Sequence, residues 1–563
     1  FDFAGYVPID GSGKYGYLSI NSEMAPGTVT ILDIEFDDVI GSWSWDRNNS
    51  QLVDFPSLSE LLILPQESLF PTAANCSGTV TPWNTIISCE EYTSIELSQN
   101  SNYPWVSSTD LNNDGYHDLG WAIEIDPVTK TIINQPGGRS DKDKLWAMGN
   151  FKHENAVIRA DHKTVYQGAD ATNGEGYLFK FVASKAQDLS QGDLFVYKGD
   201  KISNHAWIKL ANSTQNEQNT TIAQCKALGA TSFGGIEDVE ISPKDSLVYF
   251  AVKRESNASL NLVGKGVIYR FKDTSSGIED FEIYAGGNSI YEIDLGNNLV
   301  ENVVWGEGTD NLVFDDLGNL WVAQDGGDSY IWLVENGHTE TNPKVKIFAR
   351  TPGNSEPTGL TFSPDYKYIF MSIQHPSGNN SNQTDVFGTP VSFNNDVVLV
   401  ISRNEHLGKD LTQIDNELMI TQYFDDEDSN SKWLEVTNIS EKRLDTASYF
   451  VNLYDTSKLN NIDSELPSAS QGIPAMDPGE VVLFKNMETT EFPGSANLGA
   501  ADQYQSDICN FNGNDVLLIS TTPGKRSHNN RRDMLGNINN ELWGRNNSII
   551  RGGNSSELPE RDY

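Results

Sequence analysis

Four segments of this chain repeat one pattern, and the repetition limits the available folds more than any other feature. They begin at Glu154 (ENAVIRADHKTVYQGAD), Glu237 (EDVEISPKDSLVYFAVK), Asp310 (DNLVFDDLGNLWVAQDGG) and Glu356 (EPTGLTFSPDYKYIFMSIQHP). Each places a carboxylate first, then an apolar strand, a turn carrying Asp, Pro or Gly, and a second strand rich in aromatics and valine. The turns suit hairpins: Asp315-Asp316-Leu317-Gly318-Asn319 and Ser363-Pro364-Asp365 put Gly, Asn and Pro where the backbone is restricted or positive in φ. Repeated hairpins of this kind build β-propeller blades, although a sandwich of similar strands fits the same pattern. Helical periodicity is almost absent, so the fold class is all-β.

If each segment belongs to one blade, Glu154, Glu237, Asp310 and Glu356 occupy equivalent places and converge on one end of a central channel. Carboxylates so gathered raise one another's pKa unless cations neutralise them, which points to a site for several cations. The other reading is that each acid merely caps a blade turn. Near residue 400 the pattern changes. Residues 1–405 read as the propeller, 406–416 as a polar linker, and 417–563 as antiparallel strands of an immunoglobulin-like sandwich, with ELMITQYFDDEDSNSKWLEVTNIS at its start.

Charge narrows the partners. The 563 residues carry 39 Lys+Arg against 79 Asp+Glu, a net charge of −40, which disfavours a nucleic-acid-binding surface. No apolar run reaches the length of a membrane span. The four cysteines, Cys76, Cys89, Cys225 and Cys509, form neither a disulfide framework nor a CxxC zinc pattern. The start, FDFAGYVPID, reads as a trimmed end, and secretion to the periplasm or cell exterior, as a monomer, is the expectation.

Two further motifs carry chemistry. Cys89-Glu90-Glu91 follows an apolar strand and sets a soft thiolate beside two hard oxygen donors, a set suited to a transition metal next to a hard cation. Asp110-Leu-Asn112-Asn-Asp114-Gly115-Tyr-His-Asp118 has oxygen donors at positions 1, 3, 5 and 9 and Gly at position 6 of a calcium-loop template. Its twelfth position is Trp121 instead of Glu, with Glu124 three residues later, and an Asx-rich turn is the alternative. His153, beside Glu154, reads more readily as a core histidine. His375, ending a strand at the expected channel face, is a candidate substrate contact or proton relay.

TPWNTIISCEE, MGNFKHENAVI, FGGIEDVEISP, TDNLVFDDLGNLWVAQDGG and EPTGLTFSPDYKYIFMSIQHP occur in the order seen in PhoX-type alkaline phosphatases, and residues 1–405 resemble that family. The resemblance implies a six-bladed propeller whose iron–calcium cluster hydrolyses phosphate esters of small phosphorylated substrates. Carried over position by position, it implies Cys89 as a thiolate ligand of Fe3+. Glu90, Glu91, Glu154, Glu237, Asp310, Asn311, Asp325 and Glu356 become ligands of Fe3+ or Ca2+. The family's arginine two residues before Glu237 is replaced here by Gly235, with Lys253 or Arg254 as possible substitutes, and Arg350 matches a second arginine only loosely. A non-catalytic calcium-stabilised propeller is therefore the competing expectation. KWLEVTN (432–438), MDPGEVVL (476–483), NGNDVLL around Asn512 and the DMLG…Trp543…Arg551 stretch resemble a lamin-tail domain, a binding or spacing module.

Overall fold

The computed structural model describes residues 1–37, 41–46, 49–53, 72–111, 113–133, 144–294, 299–326, 329–385, 390–403, 406–407, 418–426, 431–440, 443–445, 449–455, 467–486, 503–511, 515–520, 531–535 and 547–550. Asn112, most of the expected linker, Asn512, Trp543 and Arg551 lie outside the described residues. The chain divides into two units, one of residues 1–35 and 45–403, the other of residues 36–44 and 404–563. The second unit thus includes a segment, 36–44, that the sequence reading placed with the propeller.

The larger unit is built from antiparallel sheets that follow one another along the chain. Their first strands are Ala4–Pro8, Asn75–Val80, His153–Ile158, Ile236–Ile241, Thr309–Phe314 and Glu356–Phe362. From each first strand the sheet continues outward as a meander. Each first strand packs beside that of the next sheet, and Glu356–Phe362 returns to Ala4–Pro8, so the six strands ring a common axis. This is a propeller-like arrangement. The four repeated segments are the first hairpins of the third to sixth sheets.

Local chemistry explains why those hairpins turn where they do. Asp161 Oδ1 accepts from the N–H of Lys163 and of Thr164 at 2.9 and 2.8 Å, and Asp315 Oδ1 from Leu317 and Asn319 at 3.0 and 2.9 Å. Ser363 Oγ accepts from Tyr368 N at 3.2 Å. A short polar side chain closes its own turn in each case. Between neighbouring sheets lie apolar layers, such as Val157, Tyr166, Phe250 and Tyr269 between the third and fourth, and Tyr249, Leu312, Leu320 and Trp332 between the fourth and fifth.

The first strands are stitched side to side by the residue that follows three of the four repeated carboxylates, Asn155, Asp238 and Asn311. Asn155 exchanges hydrogen bonds with Val239, and its amide also donates to Asp238. Asp238 Oδ2 accepts from Leu312 N at 2.6 Å, and Asn311 Oδ1 from Gly359 N at 2.6 Å. Gly359 has φ +62, and a Cβ there would sit 2.3 Å from Ala4 N, so the closing contact of the ring requires glycine.

In the second unit, one sheet runs Gln503–Gln505, Val481–Lys485, Ser431–Asn438, Leu418–Asp426, Asn547–Ile550, and the other Ala469–Gly472, Phe450–Tyr454, Val516–Ser520, Arg531–Leu535. Leu434, Val436 and Phe484 of the first sheet and Val451, Leu453, Leu517 and Ile519 of the second share one core. It is a two-sheet sandwich.

Candidate metal centre at the channel end

All six first strands enter the ring from the same end, and five carry a β-bulge, at 75/78, 153/156, 236/238, 309/312 and 358/361. A bulge breaks strict alternation and re-aims the residue beside it. The result is a cluster of carboxylates at the strand starts. Oxygens of Glu91, Glu154 and Asp170 lie within 4.8 Å of one another, as do those of Asp310, Asp325 and Glu356. Glu237 stands between the two groups and acts electrostatically on both Glu154 and Asp310.

The structure adds members that the motifs do not single out. Asp2, just before the first strand, is 3% exposed and feels the charges of Glu23, Glu356 and Glu237. Glu23 hydrogen-bonds to Glu91 and accepts from Gln374 Nε2 at 2.5 Å. Gln374 also reaches Glu356 Oε2 at 3.4 Å. Asp170 and Asp325 each follow the second strand of their sheet, which returns to the same end.

Against these carboxylates stand, among the described residues, two lysines. Lys253 Nζ is 2.5 Å from Glu237 Oε1 and 3.7 Å from Asp170 Oδ2, and Lys152 Nζ is 3.7 Å from Glu91 Oε1. So few positive charges leave the carboxyls strongly perturbed. Burial first, then Asp170, pushes Glu237 up to about 8, with Lys253 pulling the other way. Burial, then Asp325 and Glu23, pushes Glu356 up to about 7. Glu91, Glu154, Asp310 and Asp2 lie well above the usual carboxylate range, with burial the largest cause and neighbouring carboxylates adding to it. Lys253 is held charged, chiefly by Glu237.

This donor set fits hard cations. It is made of oxygens, and buried oxygens of Asp2 (Oδ1) and Asp170 (Oδ1) have no hydrogen-bond partner. Such atoms are costly unless a proton or a cation satisfies them.

Several expected ligands are placed elsewhere. Glu90 points into a buried ion pair with Lys144, Nζ to Oε1 2.6 Å, and its other oxygen accepts from the N–H groups of Gly120 and Trp121 at 3.1 Å. It therefore anchors the neighbouring segment. Cys89 lies in the apolar layer between the second and third sheets with Phe151 and Phe179. Its strand, Ile86–Glu90, is buried throughout, so alternation turns Glu90 and Cys89 to different surroundings. Cys76 shares that apolar layer; burial, then Glu154, Glu91, Asp2 and Glu23, pushes its thiol up, whereas for Cys89 burial is followed by Asp238, Glu90 and Asp2. Cys76 Sγ is 3.1 Å from His153 O.

Asn311 is committed to Gly359. Arg350 ends the outermost strand of the fifth sheet, three strand spacings or about 14 Å from the ring, and is exposed. His375 is exposed, with φ +53 and its N–H on Asp396 Oδ1 at 3.0 Å, while its neighbour Gln374 faces inward. His153 is a core histidine: stacked on Phe151 at 3.6 Å, it has Nε2 2.9 Å from Gly149 O, and burial pushes its pKa down to about 3. Asp110, Asp114 and Asp118 form a separate loop, and Glu124 is taken by Trp83 Nε1 and Thr85 Oγ1 at 2.8 and 2.6 Å.

Gly235 has a physical reason. Its φ is +86, and a Cβ would lie 2.4 Å from Asp170 Oδ1. An arginine would have to displace a cluster carboxylate. Lys253 donates its N–H to Gly235 O at 2.9 Å, so a cation rises from the adjacent strand at that same place. Arg254 instead pairs with Glu307 at 3.4 Å and is exposed.

Residues 65–377, more than half of the chain, match the family model for alkaline phosphatase PhoX. The chain belongs to the PhoX alkaline phosphatase family. Among solved structures, this PhoX-family chain resembles Pseudomonas fluorescens PhoX in complex with vanadate, a transition state analogue. The two are 20% identical with a TM-score of 0.50, over 72% of this chain and 89% of that one, a likeness of fold. A putative 6-phosphogluconolactonase from Bacteroides uniformis (12% identity, TM-score 0.33, 70% and 88% covered) and the periplasmic gluconolactonase PpgL of Pseudomonas aeruginosa (9%, 0.32, 71% and 88%) are more distant. No curated protein matches the sequence. The chain is a phosphatase by family, and among the described residues no helix is long and apolar enough to cross a membrane.

Proposed function

We propose that the channel end is the active site of a metal-dependent phosphoric ester hydrolase acting on small phosphomonoesters, and on diesters where the leaving group permits. The observation that carries this reading is the gathering of carboxylate oxygens at the channel end, with Lys253 paired to Glu237 and Asp170. Glu91, Glu154 and Asp170 would hold one cation, and Asp310, Asp325 and Glu356 another. Glu237 lies where it can join either group. Iron and calcium are the ions the family resemblance implies, with Cys76 or Cys89 supplying a thiolate. When bound, such cations neutralise the phosphate dianion and polarise its P–O bonds.

The chain's own residues do the remaining work. Lys253 reaches the place vacated at Gly235 and supplies a positive charge to an equatorial phosphate oxygen, as a point charge instead of a bidentate fork. Gln374 holds Glu23 and Glu356 in place. Lys152 balances Glu91. Burial of these groups lowers the local dielectric, so each charge acts more strongly on a substrate than it would in water. Phosphoryl transfer asks mainly for this positioning and electrostatics.

The ring of inner strands supports a six-bladed propeller. The two-sheet unit supports an immunoglobulin-like, lamin-tail-type domain that serves binding or spacing, with residues 406–416 linking the two. Secretion and a monomeric state complete the reading. The test is metal analysis of the purified protein together with hydrolysis of a chromogenic phosphomonoester and diester, with and without added calcium. Bound metal and calcium-dependent turnover that Glu154→Gln and Glu237→Gln abolish are expected. Metal-independent turnover, or none in fully loaded protein, would overturn the proposal.

A further inference from the structure

Lys253 and Arg254 form a β-bulge. The strand Val248–Asn257 pairs Val252 with Val267 and Glu255 with Lys265, so the two residues between them oppose Gly266 alone. A bulge re-aims the side chains at it, and this one sends Lys253 toward Glu237. Its backbone is gripped on both sides. Lys253 N donates to Gly235 O at 2.9 Å, Arg254 N to Gly234 O at 3.0 Å, and Gly308 N to Lys253 O at 3.0 Å. A Cβ on Gly234 would run into Arg254 O, so the Gly234-Gly235 turn lies directly on the bulge.

The bulge ends at Glu255, which is fully buried and pairs with Lys201, Nζ to Oε1 2.7 Å. Lys201 comes from the third sheet, on the loop 199–205 between strands Asp188–Lys198 and Ala206–Lys209. That loop is built to turn one lysine inward. Asp200 Oδ1 accepts from Ser203 N and from Ile202 N, the latter at 2.9 Å, and Oδ2 from Ser203 Oγ at 2.7 Å. Thr231 Oγ1 accepts from Gly199 N at 2.8 Å, and Tyr197 Oη and His205 Nδ1 share a hydrogen bond of 2.7 Å. Lys201 itself sits at φ +65, an unfavourable conformation for a residue with a Cβ. Its side chain is 9% exposed, and its ammonium lies 4.4 Å from the centre of the Phe233 ring. Lys201 therefore touches both parts that carry Lys253: Glu255 at the end of the bulge and Phe233 at the head of the glycine turn. Burial pushes the Glu255 carboxyl up and the Lys201 ammonium down, and each draws the other back toward its charged form.

We propose that Lys201 and Glu255 are positioning residues for Lys253, clamping the bulge against the glycine turn so that its ammonium stays beside Glu237 and Asp170. The inference rests on the reading of Lys253 as the cation that faces the phosphate. Both residues act on substrate only through Lys253. Removing the Lys201 charge leaves Glu255 as a bare buried carboxylate, which must take up a proton or move toward water, and the bulge loses its fixed end.

A double-mutant cycle in the full chain tests this, read by kcat/KM on a chromogenic phosphomonoester and by calorimetric affinity for inorganic phosphate. Lys201→Met keeps the stem on Phe233 and removes the charge. It should lower both readouts about tenfold or more, since displacing a positioned group costs up to about 10²-fold. Lys201→Arg, which keeps the charge, should stay within about threefold of wild type. In a Lys253→Met background, Lys201→Met should cost less than about twofold further, because the group it positions is already gone. Lys201→Met with Glu255→Gln leaves no bare buried charge; it should show the same loss and the same non-additivity, and serves if the single variant does not fold. Wild-type values in the Lys201 variants, or losses that multiply with Lys253→Met, would overturn the proposal and leave Lys253 in its role. Unchanged values in Lys253→Met alone would overturn both readings.

Discussion

Replacing Lys253 with Met removes the positive charge beside Glu237 while keeping the length of the side chain. The ammonium lies 2.5 Å from Glu237 Oε1 and 3.7 Å from Asp170 Oδ2, with a side chain 22% exposed, so it works in a medium well short of bulk water. At about 4 Å and an effective dielectric near 20, a charge acts on a phosphate oxygen with about 4 kcal/mol. Deletion of one preorganised donor in comparable sites costs about 3–4 kcal/mol, or about 10²–10³ in rate. Lys253→Met should therefore lower kcat/KM on a chromogenic phosphomonoester by about 10²–10³, and weaken competitive inhibition by inorganic phosphate. Lys253→Arg should keep kcat/KM within about tenfold of wild type, since charge is what the site lost at Gly235. Metal content should not fall, because removing a cation from among carboxylates cannot weaken their hold on other cations. A loss in kcat/KM below about threefold, with phosphate inhibition unchanged, would refute the assignment of Lys253 to substrate.

Gly235→Arg, which restores the family's residue type, should reduce both metal content and melting temperature, because φ +86 costs an L-residue about 1–2 kcal/mol and its Cβ would meet Asp170. A gain in activity would contradict this. Glu237 and Glu356 have folded pKa values raised to about 8 and about 7, so in metal-free protein the folded state binds more protons than the unfolded one. Metal-stripped protein should therefore lose stability as pH rises from near 4.5 through 8, and metal reloading should abolish that slope in thermal melts. Iron bound per chain should drop in Cys76→Ala if Cys76 is the ligand. Loss confined to Cys89→Ala would assign the thiolate to Cys89 instead.

Much of the larger unit was legible in the chain because its hairpins carry their own instructions. Asp161, Asp315 and Ser363 close turns with their own side chains, and this local chemistry holds at the same place in successive repeats. The equivalence of Glu154, Glu237, Asp310 and Glu356 followed from that register. The carboxylate-Asx pattern in Glu154-Asn155, Glu237-Asp238 and Asp310-Asn311 was also present, but its purpose, bonding one sheet to the next, appears only when the sheets stand side by side.

What the sequence by itself determined was periodic and local: strands, turns, and a carboxylate at the start of each repeat. What only the tertiary structure decided was which groups meet. Asp2, Glu23, Cys76 and Asp170 come from distant parts of the chain, and no spacing announces them. Glu90 and Cys89 neighbour Glu91 in sequence yet face a buried lysine and an apolar layer, because a strand sends successive side chains to opposite sides. Arg350 and His375 reach the right end of their sheets but stand on outer or exposed positions. Direction and radius within a sheet are properties of packing, and a one-dimensional pattern does not carry them.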